Sequence, residues 1–252
     1  MKCRLLLRFL RLGLCLAWPV SLVRADRGTD LARIHVEAIG GRERIDALVA
    51  LRATGQVTTG GKRVRFTFTA ARPDRVRLET ENGGRTLVQA SDGVEPPWEF
   101  DTGSSPQRYR AMPEATAKTF LSDAEFDDPL VAGPARGFTF DFAGDVRVEG
   151  RSLLRVLVTR NLSETIALFL DADTYLIMLR VEQRTSAGGR RLQITTRYDD
   201  FRPVDGVLLP HEITLSVEGR VSQQTKIEAI TGNPPLSPEV FVRPRASGEP
   251  RK

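Results

Sequence analysis

Residues 164 to 230 constrain this chain more than any other stretch, because their side chains change character at every second step. Leu192, Ile194, Thr196 and Tyr198 alternate with Arg191, Gln193, Thr195 and Arg197, and Ile213, Leu215 and Val217 alternate with Glu212, Thr214 and Ser216. A period of two is the signature of a strand with one apolar and one wet face. The breaks carry turn residues: Asp171-Ala172-Asp173, Gly188-Gly189, Asp205-Gly206 and Glu218-Gly219. Short connections between such strands predict an antiparallel sheet whose apolar face needs a cover.

The same pattern occurs earlier. Val64, Phe66 and Phe68 alternate with Arg63, Arg65 and Thr67; after the Arg72-Pro73-Asp74 turn, Val76 and Leu78 alternate with Arg75, Arg77 and Glu79. Asn82-Gly83-Gly84 then turns the chain into 85–91. Further on, Phe138, Phe140 and Phe142 share one side, with Thr139 and Asp141 on the other. Acidic residues interleave with the arginines of 63–79, which reads as a solvated sheet face rather than a basic patch. Ahead of the first strand, apolar residues in 26–48 recur at a spacing near 3.6, and Gly40-Gly41 divides the stretch into two helices. His35, inside the first helix, reads as a surface or packing histidine.

Residues 92–137 interrupt the strand pattern with a proline-rich, aromatic segment containing one helical stretch, 113–126. Trp98, Phe100, Tyr109, Phe120 and Phe126 give it too much apolar surface for disorder, so it is expected to lie over the sheet as a lid. Asp123, Glu125, Asp127 and Asp128 lack the spacing and glycine of a calcium loop and read as a solvated acidic helix end. Phe241 and Val242 are expected to dock the end of the fold, with 245–252 frayed.

The first 25 residues have the form of an export signal: a basic start, a 12-residue apolar core and Val23-Arg24-Ala25 as a cleavage site. Twelve residues fall short of the roughly 20 needed to span a bilayer, although an uncleaved anchor is the competing reading. Five of the 37 basic residues lie in this leader, and 37 less 5 leaves 32 against 32 acidic residues. The overall charge of +5 therefore belongs to the leader, and the neutral remainder gives no reason to expect nucleic acid. Both cysteines, Cys3 and Cys15, leave with it, so the remaining chain has neither disulfides nor thiol chemistry. It is long enough to bury a core unaided.

The sequence carries no H-E-x-x-H, G-x-S-x-G or P-loop motif, and no G-x-G-x-x-G after a strand. With only His35 and His211 available, nothing marks a catalytic base, a metal site or a cofactor. A non-enzymatic protein is expected.

Three stretches together resemble a known family: HVEAIGGRERIDALVALRATGQV, DDPLVAGPARGFTFDFAGDVRVEGRSLLRVLVTR, and LDADTYLIMLRVEQ followed by YDDFRPVDGVLLPHEI. They are similar to bacterial outer-membrane lipoprotein-sorting proteins of the LolA/LolB-like superfamily, especially its longer members, over about 32–244. The resemblance implies an α+β fold: a strongly curved antiparallel sheet, an incomplete barrel, with helices and a loop-helix lid (92–137) on its concave apolar face. It also implies a monomeric periplasmic carrier of a lipid, acyl chain or lipoprotein, passing cargo from an inner-membrane donor to an outer-membrane acceptor. A non-enzymatic envelope protein-interaction module with a filled core is the alternative, and a secreted hydrolase the less favoured one. The lining residues are then expected to be Val64, Phe66, Phe68, Val76, Leu78, Phe138, Phe140 and Phe142, with Trp98 and Phe120 closing over them from the lid.

Overall fold

A computed structural model describes residues 26–105, 109–161, 164–186 and 188–244. The expected leader and frayed tail lie outside the described residues. The chain starts with two helices, α1 (Arg27–Ala38) and α2 (Arg42–Ala47). Asp26 caps α1 by accepting from the Gly28 N–H, and the glycine pair separates the helices as the sequence predicts. Six strands follow: β1 (Ala50–Thr59), β2 (Lys62–Ala71), β3 (Arg75–Asn82), β4 (Arg85–Ser91), β5 (Trp98–Asp101) and β6 (Arg110–Ala111). The chain then leaves the sheet for α3 (Glu114–Asp123) and α4 (Pro129–Arg136).

Seven strands complete the sheet: β7 (Thr139–Val148), β8 (Arg151–Asn161), β9 (Glu164–Asp171), β10 (Ile177–Thr185), β11 (Arg191–Val204), β12 (Val207–Val217) and β13 (Arg220–Gly232). A 3-10 turn at Pro238–Val240 comes last. All 13 strands form one antiparallel sheet in the order β6-β5-β4-β3-β2-β1-β13-β12-β11-β10-β9-β8-β7. The sheet is thus two meanders joined where β1 pairs β13, curved but not closed. Its edge strands are β6 and β7, and the chain passes from one to the other through α3 and α4.

Tight hairpins hold the register. Asp205-Gly206 and Glu218-Gly219 both have positive φ at their two residues, the type I′ geometry that suits the twist of paired strands. Bulges at Thr54/Gly55, Phe142/Asp145, Ile177/Leu179 and Leu215/Ser216 bend the strands and give the sheet its curvature. Gly55 is obligatory at its bulge, since a Cβ there would stand 2.2 Å from the Lys226 carbonyl oxygen.

Pairing carries one set of side chains across the whole concave face. Phe66 lies opposite Gly55 and Thr80, Phe68 opposite Ala53 and Leu78, and Phe140 opposite Val158, which lies opposite Ile166. The two ends of that face differ. Over β7 to β10, Phe140, Leu154, Val156, Val158, Ile166, Leu168, Leu170 and Ile177 are buried beneath Leu31 and Ala32 of α1 and Leu130 of α4. The fit is close: a Cβ at Gly28 would lie 2.1 Å from the Phe140 carbonyl oxygen, and one at Gly133 would lie 2.6 Å from the Phe140 ring. Beside it, Val36, Ile39, Ile45, Leu48, Val131 and Val207 knit α1, α2 and α4 to β12. Over β11 to β13 and β1 to β3, the same alternation leaves Ile213, Leu215, Ile227, Val64, Phe68 and Leu78 half-buried.

Two expectations about 92–137 need correction. Residues 98–101 and 110–111 extend the sheet through pairing with β4 and β5, so the segment that leaves it is only 112–138. It contains two helices where the sequence predicted one over 113–126. The acidic end of α3 hides the second, which begins with Asp128 accepting from the Leu130 and Val131 N–H groups and Pro129 at the first helical position.

Candidate functional site

The ten expected lining residues divide into three groups. Val64, Phe66, Phe68, Val76 and Leu78 do share the concave face of β2 and β3, with Phe66 and Val76 buried and the others half-buried. Phe138, Phe140 and Phe142 belong to the sealed end under α1 and α4; Phe140 is 4 % exposed and packed as core. Phe142 is further covered by the Arg27 guanidinium, 3.7 Å from its ring centre. The two phenylalanine groups are therefore not brought together.

Trp98 faces the other way, contrary to expectation. It pairs with Ala90, which lies opposite Arg77 and hence Thr69, while the concave row at that level runs through Phe68, Leu78, Gln89 and Glu99. On the convex face its Nε1–H donates to the Phe241 carbonyl (3.0 Å), and Arg77 donates to the Val240 carbonyl (3.1 Å). Phe241, 0 % exposed, sits on Ala50 and Ala71, so the C-terminal segment is a strap across the back of β1 to β5. Phe241 docks as the sequence predicts; Val242 does not and is exposed. Phe120 is half-buried on α3.

α3 is the least anchored helix. None of its ten residues is buried, and Leu121 is exposed, whereas α4 buries Pro129, Leu130, Val131 and Gly133. What ties this segment down is charge. The acidic run expected to be a solvated helix end is instead paired residue by residue with the sheet and the neighbouring helices. Asp123 takes both terminal nitrogens of Arg184. Glu125 lies 2.5 Å from Arg160, 3.4 Å from Arg136 and 4.0 Å from Arg180. Asp127 binds Arg72, whose guanidinium also donates to the Ile45 and Leu48 carbonyls and covers the Phe126 ring. Asp128 binds His35 Nε2 (3.1 Å). The spacing of acids was visible in the sequence, but its cations come from five distant positions, so their partnership was not.

The electrostatics follow the geometry. Burial disfavours a charged His35, yet Asp128 outweighs it and raises the imidazole above its ordinary 6.5. His35 Nδ1 faces the Tyr175 carbonyl (2.8 Å), so both ring nitrogens meet acceptors, as imidazolium requires. Burial would raise Asp128, but His35 and two backbone N–H groups hold it low. Glu182, in the floor of the barrel, is likewise held low by Arg180 and Arg184 against its burial. His211, buried, has its Nδ1 at the Leu209 carbonyl (3.0 Å).

Two open, polar clefts lie mainly on the convex face. One, about 420 Å³, is lined by Gln56, Arg63, Arg65, Glu81, Asn82 and Gly83. Among the described residues no helix is long and apolar enough to cross a membrane.

A helix-filled antiparallel half-barrel of this kind defines a class, and solved structures share it. The chain is similar to a domain named for outer membrane lipoprotein sorting from Vibrio parahaemolyticus (11 % identity, TM-score 0.57), covering 85 % of this chain and 96 % of that one. It is similar to a DUF1329 family protein from Desulfovibrio piger (11 %, 0.56; 86 % and 98 %) and to a LolA superfamily protein from Nitrosomonas europaea (12 %, 0.50; 82 % and 96 %). No protein-family model and no curated protein sequence matches. At these identities the likeness is one of fold: the chain has the LolA-like incomplete barrel.

Proposed function

We propose that this protein is an exported carrier that holds a lipid, an acyl chain or a lipoprotein's acyl chains against the half-buried end of its concave face. The observation that carries the reading is a half-buried apolar lining in a molecule whose helix α3 buries none of its own residues and is held at its C-terminal end by the ion pairs of Asp123 and Glu125. Parting these ion pairs disturbs no apolar packing of α3, so such a lid can open without unfolding the barrel. One buried CH₂ contributes about 0.8 kcal/mol, so a 16-carbon chain gains roughly 12 kcal/mol before the costs of ordering and lid opening. That is enough to hold cargo and still yield it to a better acceptor. Periplasmic location, cleavage after Ala25, a monomeric state and hand-over between an inner-membrane donor and an outer-membrane acceptor belong to the same proposal, supported by the leader and the fold.

Native mass spectrometry of the exported protein tests it. Co-purified lipid, or saturable uptake of a fluorescent fatty acid, is expected. Absence of both, with capture of a protein partner, would replace the carrier with an interaction module.

A further inference from the structure

The concave face contains charge that a purely apolar pocket would not need. Arg180, Glu182 and Arg184 occupy the inward positions of β10, and Arg160 approaches them from β8. Glu182 bridges its two neighbours, accepting from Arg180 (2.7 and 3.1 Å) and Arg184 (2.6 Å). Glu164, at the rim of β9, lies 3.7 Å from Arg160. Three guanidiniums thus face two carboxylates of the sheet. The remaining carboxylates, Asp123 and Glu125, belong to the lid, and Arg180 also meets the Tyr198 hydroxyl. Arg160 shows the mismatch most plainly: its side chain is 10 % exposed, and its Nε is buried with no hydrogen-bond partner among the described residues. A buried donor left unmade is costly, and more so on a charged group.

The position suits an amphiphile. β10 borders the sealed end on one side and β11 on the other, where Arg180 lies opposite Thr196 and Glu182 opposite Ile194. From β10 across β11, β12 and β13 to β1 is four strand spacings, about 19 Å, comparable with an extended long acyl chain. Guanidiniums are the side chains best shaped to grip carboxylate or phosphate oxygens two at a time.

Resting on the carrier reading above, we infer that Arg160, Arg180 and Arg184 form the head-group site, that the cargo is an amphiphile with an anionic phosphate or carboxylate head, and that Asp123 and Glu125 occupy that site as a built-in competitor. Lid carboxylates and cargo head exclude one another, so head-group binding favours the open lid and release lets the lid return. Because the two compete, weakening the lid's claim strengthens the cargo's, by at most the same factor.

The test uses the full exported chain and four probes below their micelle concentrations: dodecyl phosphate, dodecyltrimethylammonium, dodecyl maltoside and inorganic phosphate. Dodecyl phosphate is expected to bind about tenfold or more tighter than the cationic and neutral chains, the scale of one charged hydrogen bond. Asp123→Asn with Glu125→Gln should tighten dodecyl phosphate several-fold more than dodecyl maltoside, which shares only the lower cost of lid opening. Arg184→Gln should abolish the preference while retaining chain binding; Glu182 keeps Arg180 as partner, and the lid variant provides an independent arm if Arg184→Gln is unstable. Equal binding of the three chains would overturn the head-group site and leave the carrier intact. No binding of any chain would remove the carrier reading and this one with it. Inorganic phosphate binding as tightly as dodecyl phosphate would overturn the head-group assignment in favour of a free-anion site.

Discussion

The two ends of the concave face are built from the same alternation and have different fates. Over β7 to β9 and the start of β10 the inward residues are mostly Val, Leu, Ile and Phe, sealed by α1 and α4. Over β11 to β13 and β1 to β3 they are as apolar at Ile213, Leu215, Phe68 and Leu78, yet remain half-buried. What separates them is helix placement: α1 packs mainly on β7 and β8, and α4 on β8 and α1. A strand pattern thus specifies which face is apolar, while whether that face becomes core or lining is decided by elements distant in sequence.

Matched substitutions at the two ends should break the comparison most sharply. Phe140→Asp places a carboxylate against Gly133 in a dry core, and no soluble folded protein is expected; Phe68→Asp should fold and lose fatty-acid uptake. The alanine pair gives the milder form: about 3 to 5 kcal/mol lost at Phe140 and clearly less at Phe68, read by denaturant unfolding. A folded, soluble Phe140→Asp protein would show that the sealed end is also a cavity.

Next in size is the strap on the convex side. Phe241→Ala should cost about 3 to 4 kcal/mol through the void left on Ala50 and Ala71. Uptake should be unchanged at temperatures where the variant is folded, because Phe241 and Trp98 face away from the lining. Uptake that fell with stability held constant would put Trp98 back among the ligand contacts.

Smaller again is Asp128→Ala, which deletes a helix cap and the partner of a buried imidazole. A loss of about 2 kcal/mol is expected, with α1 and α4 amide protons exchanging faster. An Asp128→Asn protein that keeps the cap should recover part of it.

The smallest effect is a pH slope. The folded pKa of His35 is raised above 6.5, so its stabilising contribution is complete below 6.5 and is lost as the pH climbs through the raised value. Asp128 is held below 3.8, so its contribution is present above 3.8 and is lost as the pH falls through the depressed value. The sealed end should therefore be firmest between those limits and loosen toward alkaline pH. His35→Gln should flatten the alkaline slope in thermal melts; identical slopes in both proteins would remove His35 as its source.

The sheet was legible because its information is local. Alternation marked β2, β3, β11 and β12, paired turn residues marked the hairpins, and Gly40-Gly41 marked the gap between α1 and α2. Three features were not legible. β5 has four residues and follows Pro96-Pro97, too short for alternation to register, so Trp98 was placed on the lid and hence on the wrong face. α4 begins with Pro129 and contains Pro134, which conceals its helical period. The acidic run looked solvated because Arg72, Arg160, Arg180 and Arg184 meet it only after the sheet has curled.

The seam between β1 and β13 has a consequence for how the protein is made. Leu51 lies opposite Gly232, and Thr59 opposite Gln223, so the first strand synthesised waits for the last. Until β13 has emerged, β1 to β6 and β7 to β12 are separate hairpin stacks, each quick to pair locally, and β1 keeps a bare edge ready to pair with any other extended chain. A chain crossing a membrane as an unfolded thread would expose that edge longest in the compartment where it arrives. Shielding β1 until the final strand comes through is therefore the step at which a folding helper would change the yield of this protein most.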